Sequence, residues 1–297
     1  WFLGNNGVNI TGYTYNNNIS IPVANANVDV ELIVYNGVTR SFFRKTSDVT
    51  GYFAFNKVPM SAGNSLMIYE RTNQQATTLS ISSGGAIVNY NLYRNHITVR
   101  NDNGSNTTNI DMRNVSGGIV ALPNAFQFTV NAGNSLTLAN NYNLYVQGSY
   151  QPGGDITTQG TGGIDIRGTL TANANTFNIA GNWDNTSGIV NLSGTNTVGF
   201  NGGVQTIYSG GTGVTKRFNN LTHSGSGTLG LSTNDLYIKG NLTNSLNTFD
   251  LNGLNMSVDG NINISAGNLD ATDGSPNIYL AGNWTDTGTF GSNTSTV

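Results

Sequence analysis

The chain has 297 residues, and its 12 Lys/Arg against 15 Asp/Glu give a net charge of −3, which offers no electrostatic basis for nucleic-acid binding. It contains no cysteine, which excludes disulfide staples and thiolate metal sites. No apolar run suits a signal peptide or membrane insertion, and the opening Trp1 without a methionine predicts a processed form or a segment of something longer. Asn (48), Gly (39), Thr (36) and Ser (24) supply 147 of the 297 residues, a composition that ordinarily marks disorder. The apolar residues nevertheless fall at strand spacing and are rich in β-branched types, so the expectation is an all-β fold of short strands joined by many turns.

Longer, conventional strands come first: Asn9–Tyr15, Val28–Tyr35, Tyr52–Phe55, Ser65–Tyr69 and Ala86–Tyr93. Residues 1–110 hold seven Lys/Arg and five Asp/Glu, against five and ten for residues 111–297, and both glutamates of the chain, Glu31 and Glu70, lie in the first part. Between Thr46 and Pro59 a polar turn at Asp48–Gly51 precedes alternating Tyr52-Phe53-Ala54-Phe55. Gly51 supplies the turn, and Phe53 and Phe55 are expected to face a core. With "ITGYTY", "ISIPVANANVDVELI" and "AIVNYNLY" around it, this order resembles the carboxypeptidase-regulatory-like or collagen-adhesin B-type domains. The resemblance implies a small transthyretin-like β-sandwich, a spacer or stalk of exported proteins, over residues 1–95, with residues 96–130 as a junction or first irregular coils.

Residues 131–297 are dominated by a seven-residue phrase: apolar, any, apolar, any, Gly, then Asn/Ser/Thr, then apolar. Its copies are Leu144–Tyr150, Ile164–Leu170, Phe177–Trp183, Leu236–Leu242, Met256–Ile262 and Ile278–Trp284. The phrase glycines are 20, 13, 59, 20 and 22 residues apart. With 59 taken as three periods, the repeat is about 20 residues, the length of one β-solenoid coil. The gap of 13 then reads as a shortened or rearranged turn. Asparagine follows the glycine at Asn182, Asn241, Asn261 and Asn283, which predicts a structural ladder of side-chain amides along one corner. The phase of Trp183 and Trp284 with Leu170, Leu242 and Ile262 predicts that both indoles are buried. The residues before the glycine point outward, so Lys239 and Asp259 are expected to form an exposed pair, and Asp165 and Arg167, two apart on one strand, to share the solvated outer face. The stretch beginning "FNGGVQTIYSGG" resembles the strand-repeat solenoids of large bacterial surface proteins, the filamentous-haemagglutinin and autotransporter adhesins. That resemblance implies a parallel β-solenoid rod with a surface-exposed role.

Chemistry is sparse. His96 and His223 lack ligand spacing, and the Asp270–Gly274 loop lacks the further acidic positions of a calcium loop. Asp250 with Asp259 and Asp270 with Asp273 are the nearest carboxylate pairs, but they sit in turns, where burial does not raise one pKa as glycoside hydrolysis needs. No nucleotide, phosphate or catalytic-triad motif is present, so neither an enzyme nor a cofactor is expected. No cap follows Trp284, and the opposite signs of head and rod favour head-to-tail contact. The expectation is an extracellular or cell-surface structural protein that builds a fibre by self-association. The alternatives are a segment of a large adhesin contacting surface glycans or other cells, and a polysaccharide-degrading β-helix or phage tailspike.

Overall fold

A computed structural model describes residues 7–16, 19, 21–72, 75–117, 127–192 and 194–297. The chain divides into two compact units, Trp1–Asn134 with Leu144–Gln151, and Ser135–Asn143 with Pro152–Val297.

The first eight strands, all in the first unit, are β1 (Val8–Tyr15), β2 (Asp29–Tyr35), β3 (Arg40–Thr46), β4 (Tyr52–Val58), β5 (Ala62–Glu70), β6 (Ala76–Ser83), β7 (Leu92–Tyr93) and β8 (His96–Val99). One sheet runs β4-β1-β7, antiparallel then parallel. In the other, β3, β2, β5 and β6 pair antiparallel in that order, and β8 adds parallel to β6. Alternation puts Val30, Leu32 and Val34 of β2 in one core with Phe53 and Phe55 of β4, all buried. Gly51 adopts φ +79°, and the Asp48 carboxylate accepts from the Thr50 N–H (2.8 Å), the Thr50 hydroxyl (2.6 Å) and the Tyr52 N–H (3.0 Å). Those bonds hold the Asp48 carboxyl below its usual range, with the Thr50 hydroxyl as the main cause. This turn delivers β4 with its phenylalanines inward.

Two local expectations need correction. Of Ala86–Tyr93 only Leu92–Tyr93 forms a strand; buried Ile87 donates to the Asn9 carbonyl (3.0 Å) and accepts from the Thr11 N–H (2.9 Å), and buried Tyr90 donates to the Thr11 carbonyl (2.9 Å). A long strand lies instead at Ala76–Ser83, whose Thr and Ser side chains hide its pattern because almost all of it is buried. The other difference is a helix, α1 (Asn109–Ser116), with Thr108 and Asp111 forming a capping box. At eight residues it is too short to show a helical stripe, and its buried Met112 and Val115 lie on the face packed against β5 and β2.

The second unit is a parallel β-solenoid with three sides. The first side stacks Leu136–Asn140, Ile156–Gln159, Thr176–Ile179, Thr197–Phe200, Asn220–His223, Leu242–Asn244, Ile262–Ile264 and Trp284–Asp286. The register aligns Leu136, Ile156, Phe177, Val198, Leu221, Leu242, Ile262 and Trp284 in one column, a continuous apolar spine with steps of 20 to 23 residues. The second side runs from Ile164–Ile166 through Trp183–Asp184, Gln205–Tyr208, Leu229–Ser232, Thr248–Asp250 and Asn268–Asp270 to Thr289–Gly291. The third side consists of Thr169–Ala172 with Ile189–Leu192, and of Leu236–Ile238, Met256–Val258 and Ile278–Leu280. Between these two groups the chain from 209 to 219 crosses the third side without a regular strand. There Phe218 packs under Trp183 and Phe200, with ring centroids 5.3 and 6.4 Å away.

Candidate functional site

Each phrase of the second unit is two short strands folded around a glycine corner, but the phrases do not share a corner. Gly168 lies between the second and third sides, Gly181 between the first and second, and Gly240, Gly260 and Gly282 between the third and first. The 13-residue gap is therefore a change of corner within intact coils, and 59 residues span two coils and part of a third. At the Gly181 and Gly282 corners inward apolar residues flank a position where backbones meet. A Cβ on Gly181 would lie 2.2 Å from the Thr161 carbonyl oxygen, and one on Gly282 2.3 Å from that of Gly260, so glycine is required by space rather than by φ.

Asn241, Asn261 and Asn283 accordingly stand in one line, joined at its start by Asn220. The amide oxygen of Asn220 accepts from the Asn241 N–H (2.9 Å), that of Asn241 from the Asn261 N–H (2.8 Å), and that of Asn261 from the Asn283 N–H (2.9 Å). The acceptors bond to backbone rather than to the next amide, because the corner N–H points along the stack and has no strand partner. Asn182 sits at a different corner, where its oxygen accepts from the Thr206 N–H (2.8 Å). A parallel ladder at the entry to the third side, Asp235–Asn255–Asn277, satisfies the Asn255 and Asn277 N–H groups at 2.9 and 2.8 Å. Its sequence signal lies one residue before each phrase, immediately ahead of Leu236, Met256 and Ile278.

The charged residues are also occupied in linking coils. Arg167 pairs with Asp165 (2.7 Å) and, one coil on, with Asp184 (3.1 Å), and donates to the Ser187 hydroxyl (2.9 Å). Burial raises the Asp165 pKa, with Arg167 opposing and Asp184 adding to the rise. Lys216 donates to the carbonyls of Asn185 (2.9 Å), Thr186 (3.0 Å) and Gly188, and its own carbonyl accepts from the Asn185 amide (2.8 Å). Burial lowers the Lys216 pKa and Asp184 partly restores it. Gln205, which takes an inward position in register with Leu229, donates to the carbonyls of Ile179 (2.9 Å) and Gly181 (2.6 Å) and accepts from Gly202 (2.8 Å). Neither Lys216 nor Gln205 carried a sequence signal beyond a polar residue in an otherwise patterned stretch.

The remaining candidates fall apart or regroup. Asp259 accepts from the Tyr237 hydroxyl in place of the expected Lys239 pairing. Asp250 stands in register with Asp270, one strand apart, and not with Asp259. Burial raises the Asp250 pKa, followed by backbone bonding from Asn252 in the other direction and by the charges of Asp270 and Asp273. Asp250 accepts from the Asn252 N–H (2.8 Å), and Asp270 from the N–H (3.0 Å) and hydroxyl (2.7 Å) of Thr272, so each carboxylate closes its own turn. Among the described residues no group of three or more His, Asp or Glu side chains is arranged to hold a metal ion. Trp183 is fully buried in register with Ile164 and Ile207, whereas Trp284 is half-buried beside Phe290, 4.9 Å between centroids. In the first unit both glutamates serve the sheet: Glu31 pairs with Arg44 (2.8 Å) and accepts from Tyr69, and Glu70 pairs with Arg94 (3.0 Å). Burial, then Glu31, raises the Tyr69 pKa.

No family model, curated protein or solved structure matches this chain.

Proposed function

We propose that this chain is a structural protein of the extracellular space or cell surface, a building element of a fibre or sheath that associates head to tail. The observation that carries this reading is the use made of its polar side chains. Asn141, Asn182, Asn220, Asn241, Asn261, Asp155, Asp235 and Asn255 each accept from a backbone N–H in the next coil. Side chains that would carry chemistry are spent on extending the stack. Parallel stacking is open-ended, since every coil offers its successor the same strand edge and the same apolar spine. A further coil adds by the same bonds whether it belongs to this chain or to another copy. The sign difference between residues 1–110 (seven Lys/Arg, five Asp/Glu) and 111–297 (five and ten) supports heterologous, non-closing contact.

Negative-stain electron microscopy with mass photometry on the native protein tests the proposal. Filaments with a regular axial repeat are expected, and their mass should fall with added salt because the opposed charges steer the contact. Isolated single-chain particles at all concentrations would overturn self-association and leave a segment of a non-polymerising surface adhesin.

A further inference from the structure

We propose that the third side of the solenoid carries a binding slot for a neutral saccharide chain, between Tyr237 and Tyr279 and above Ser257. These three residues are the outward positions of adjacent strands and lie in register, Tyr237 to Ser257 to Tyr279. Adjacent strands are about 4.8 Å apart, so the two tyrosines stand about 10 Å apart with only a serine between them. That separation is the span of two linked pyranose rings. The corresponding outward line on the first side reads Thr137, Thr157, Asn178, Gly199, Thr222, Thr243, Asn263 and Thr285, which is small and polar throughout. The tyrosines therefore contrast with the outward line of the first side, which carries no large apolar side chain.

The slot opens onto a cleft of about 630 Å³ that Thr212 and Asp259 also line. Tyr279 is 60% exposed. Tyr237 is held from two directions: its hydroxyl donates to Asp259, and the Arg217 guanidinium lies 5.7 Å over its ring. One wall is thus fixed before any ligand arrives, which lowers the ordering cost of binding. The second oxygen of Asp259 remains an acceptor, and Ser257 and Thr212 add hydroxyls at the floor and rim. A pyranose matches this set because its C–H face packs on aromatic rings while its hydroxyls reach carboxylate and hydroxyl partners. Arg217, over the Tyr237 ring, is balanced by Asp259 beside it, so the site favours a neutral chain over a sulfated or uronate one. The inference does not depend on whether the chain polymerises.

Calorimetric titration of the full chain with cellohexaose, chitohexaose and hexagalacturonate tests it. Saturable binding to at least one of the two neutral hexasaccharides is expected. Tyr279→Ala should weaken it at least tenfold, Tyr279→Phe less than threefold, and Ser257→Tyr, which fills the slot, should abolish it. These positions face outward, so circular dichroism and melting should match the parent. Absence of saturable binding to both neutral sugars, tighter binding of hexagalacturonate, or binding that survives Tyr279→Ala and Ser257→Tyr would each overturn the proposal.

Discussion

The imidazole Nδ1 of His223 lies 2.9 Å from the amide oxygen of Asn244, inside a column of inward residues that otherwise reads Ile179, Phe200 and Ile264. Both side chains are fully buried. The Asn244 amide nitrogen donates to the carbonyls of Asn247 (3.2 Å) and Asn268 (2.8 Å), which fixes its oxygen as the acceptor and Nδ1 as the protonated nitrogen. Nε2 is then a bare lone pair with no hydrogen bond of its own. The pair satisfies three of its four polar atoms in an apolar stack, and burial there disfavours the charged ring.

Burial lowers the His223 pKa below its ordinary 6.5, against opposing contributions from Asn244 and the Gly227 carbonyl. The unfolded chain therefore takes up the proton first as pH falls, and stability is lost from about pH 6.5 downward at up to about 1.4 kcal/mol per pH unit. His96, whose Nδ1 lies 2.7 Å from the Arg94 carbonyl, is also lowered by burial and adds the same sign of dependence in the first unit. Urea denaturation between pH 7.5 and 5.5 should show a falling midpoint. His223→Gln should flatten the part of that slope reported by solenoid probes, and His96→Gln the part reported by the first unit; an unchanged slope in both variants would exclude this origin.

Neighbouring positions at one corner should differ sharply in tolerance. A Cβ on Gly260 would lie 2.5 Å from the Gly240 carbonyl oxygen, a backbone atom that moves only if two coils separate. Asn261 is exposed, and water replaces its bond to the Asn283 N–H when the side chain is removed. Gly260→Ala is expected to cost about 3 kcal/mol by overpacking, and Asn261→Ala about 1 kcal/mol or less. Hydrogen exchange of the Ile262 amide, bonded to the Asn283 carbonyl at 2.9 Å, separates the two.

The phrase made the strand–corner–strand unit legible because alternation and a space-limited glycine are local requirements. Which corner a phrase occupies was not legible, since Gly168, Gly181 and Gly240 sit in the same sequence pattern on three different edges. The residue ahead of the phrase does not separate them either: Asp235, Asn255 and Asn277 form a ladder there, but Asn143 and Asp155 accept from the Gly163 and Thr176 N–H groups ahead of two other phrases in the same way. Phe53 and Phe55 were readable from alternation, whereas Ala76–Ser83 was not, because buried Thr and Ser look like solvent-facing residues. His223, Gln205 and Lys216 were out of reach for a similar reason. Their roles depend on carbonyls and amides 21 to 31 residues away, which no local pattern encodes.

Lys216 should act as the latch of the irregular crossing between 209 and 219. Its ammonium joins the carbonyls of Asn185, Thr186 and Gly188 in the preceding coil, and Thr215 beside it accepts from the Val190 N–H at 2.7 Å. Lys216→Met keeps the aliphatic stem and removes the three charge-assisted bonds, leaving the largely buried carbonyls of Asn185 and Gly188 without that donor. A loss of about 2 kcal/mol is expected. The change should be local: protease cleavage within residues 209–217 and exchange of the Val190 amide should rise, while the Leu242–Ile262–Trp284 end of the spine stays protected. Phe218→Ala, which empties the space under Trp183 and Phe200, should instead cost about 3–5 kcal/mol and loosen the coils on both sides. Equal and global effects from the two variants would show that the crossing is held by the aromatic cluster alone.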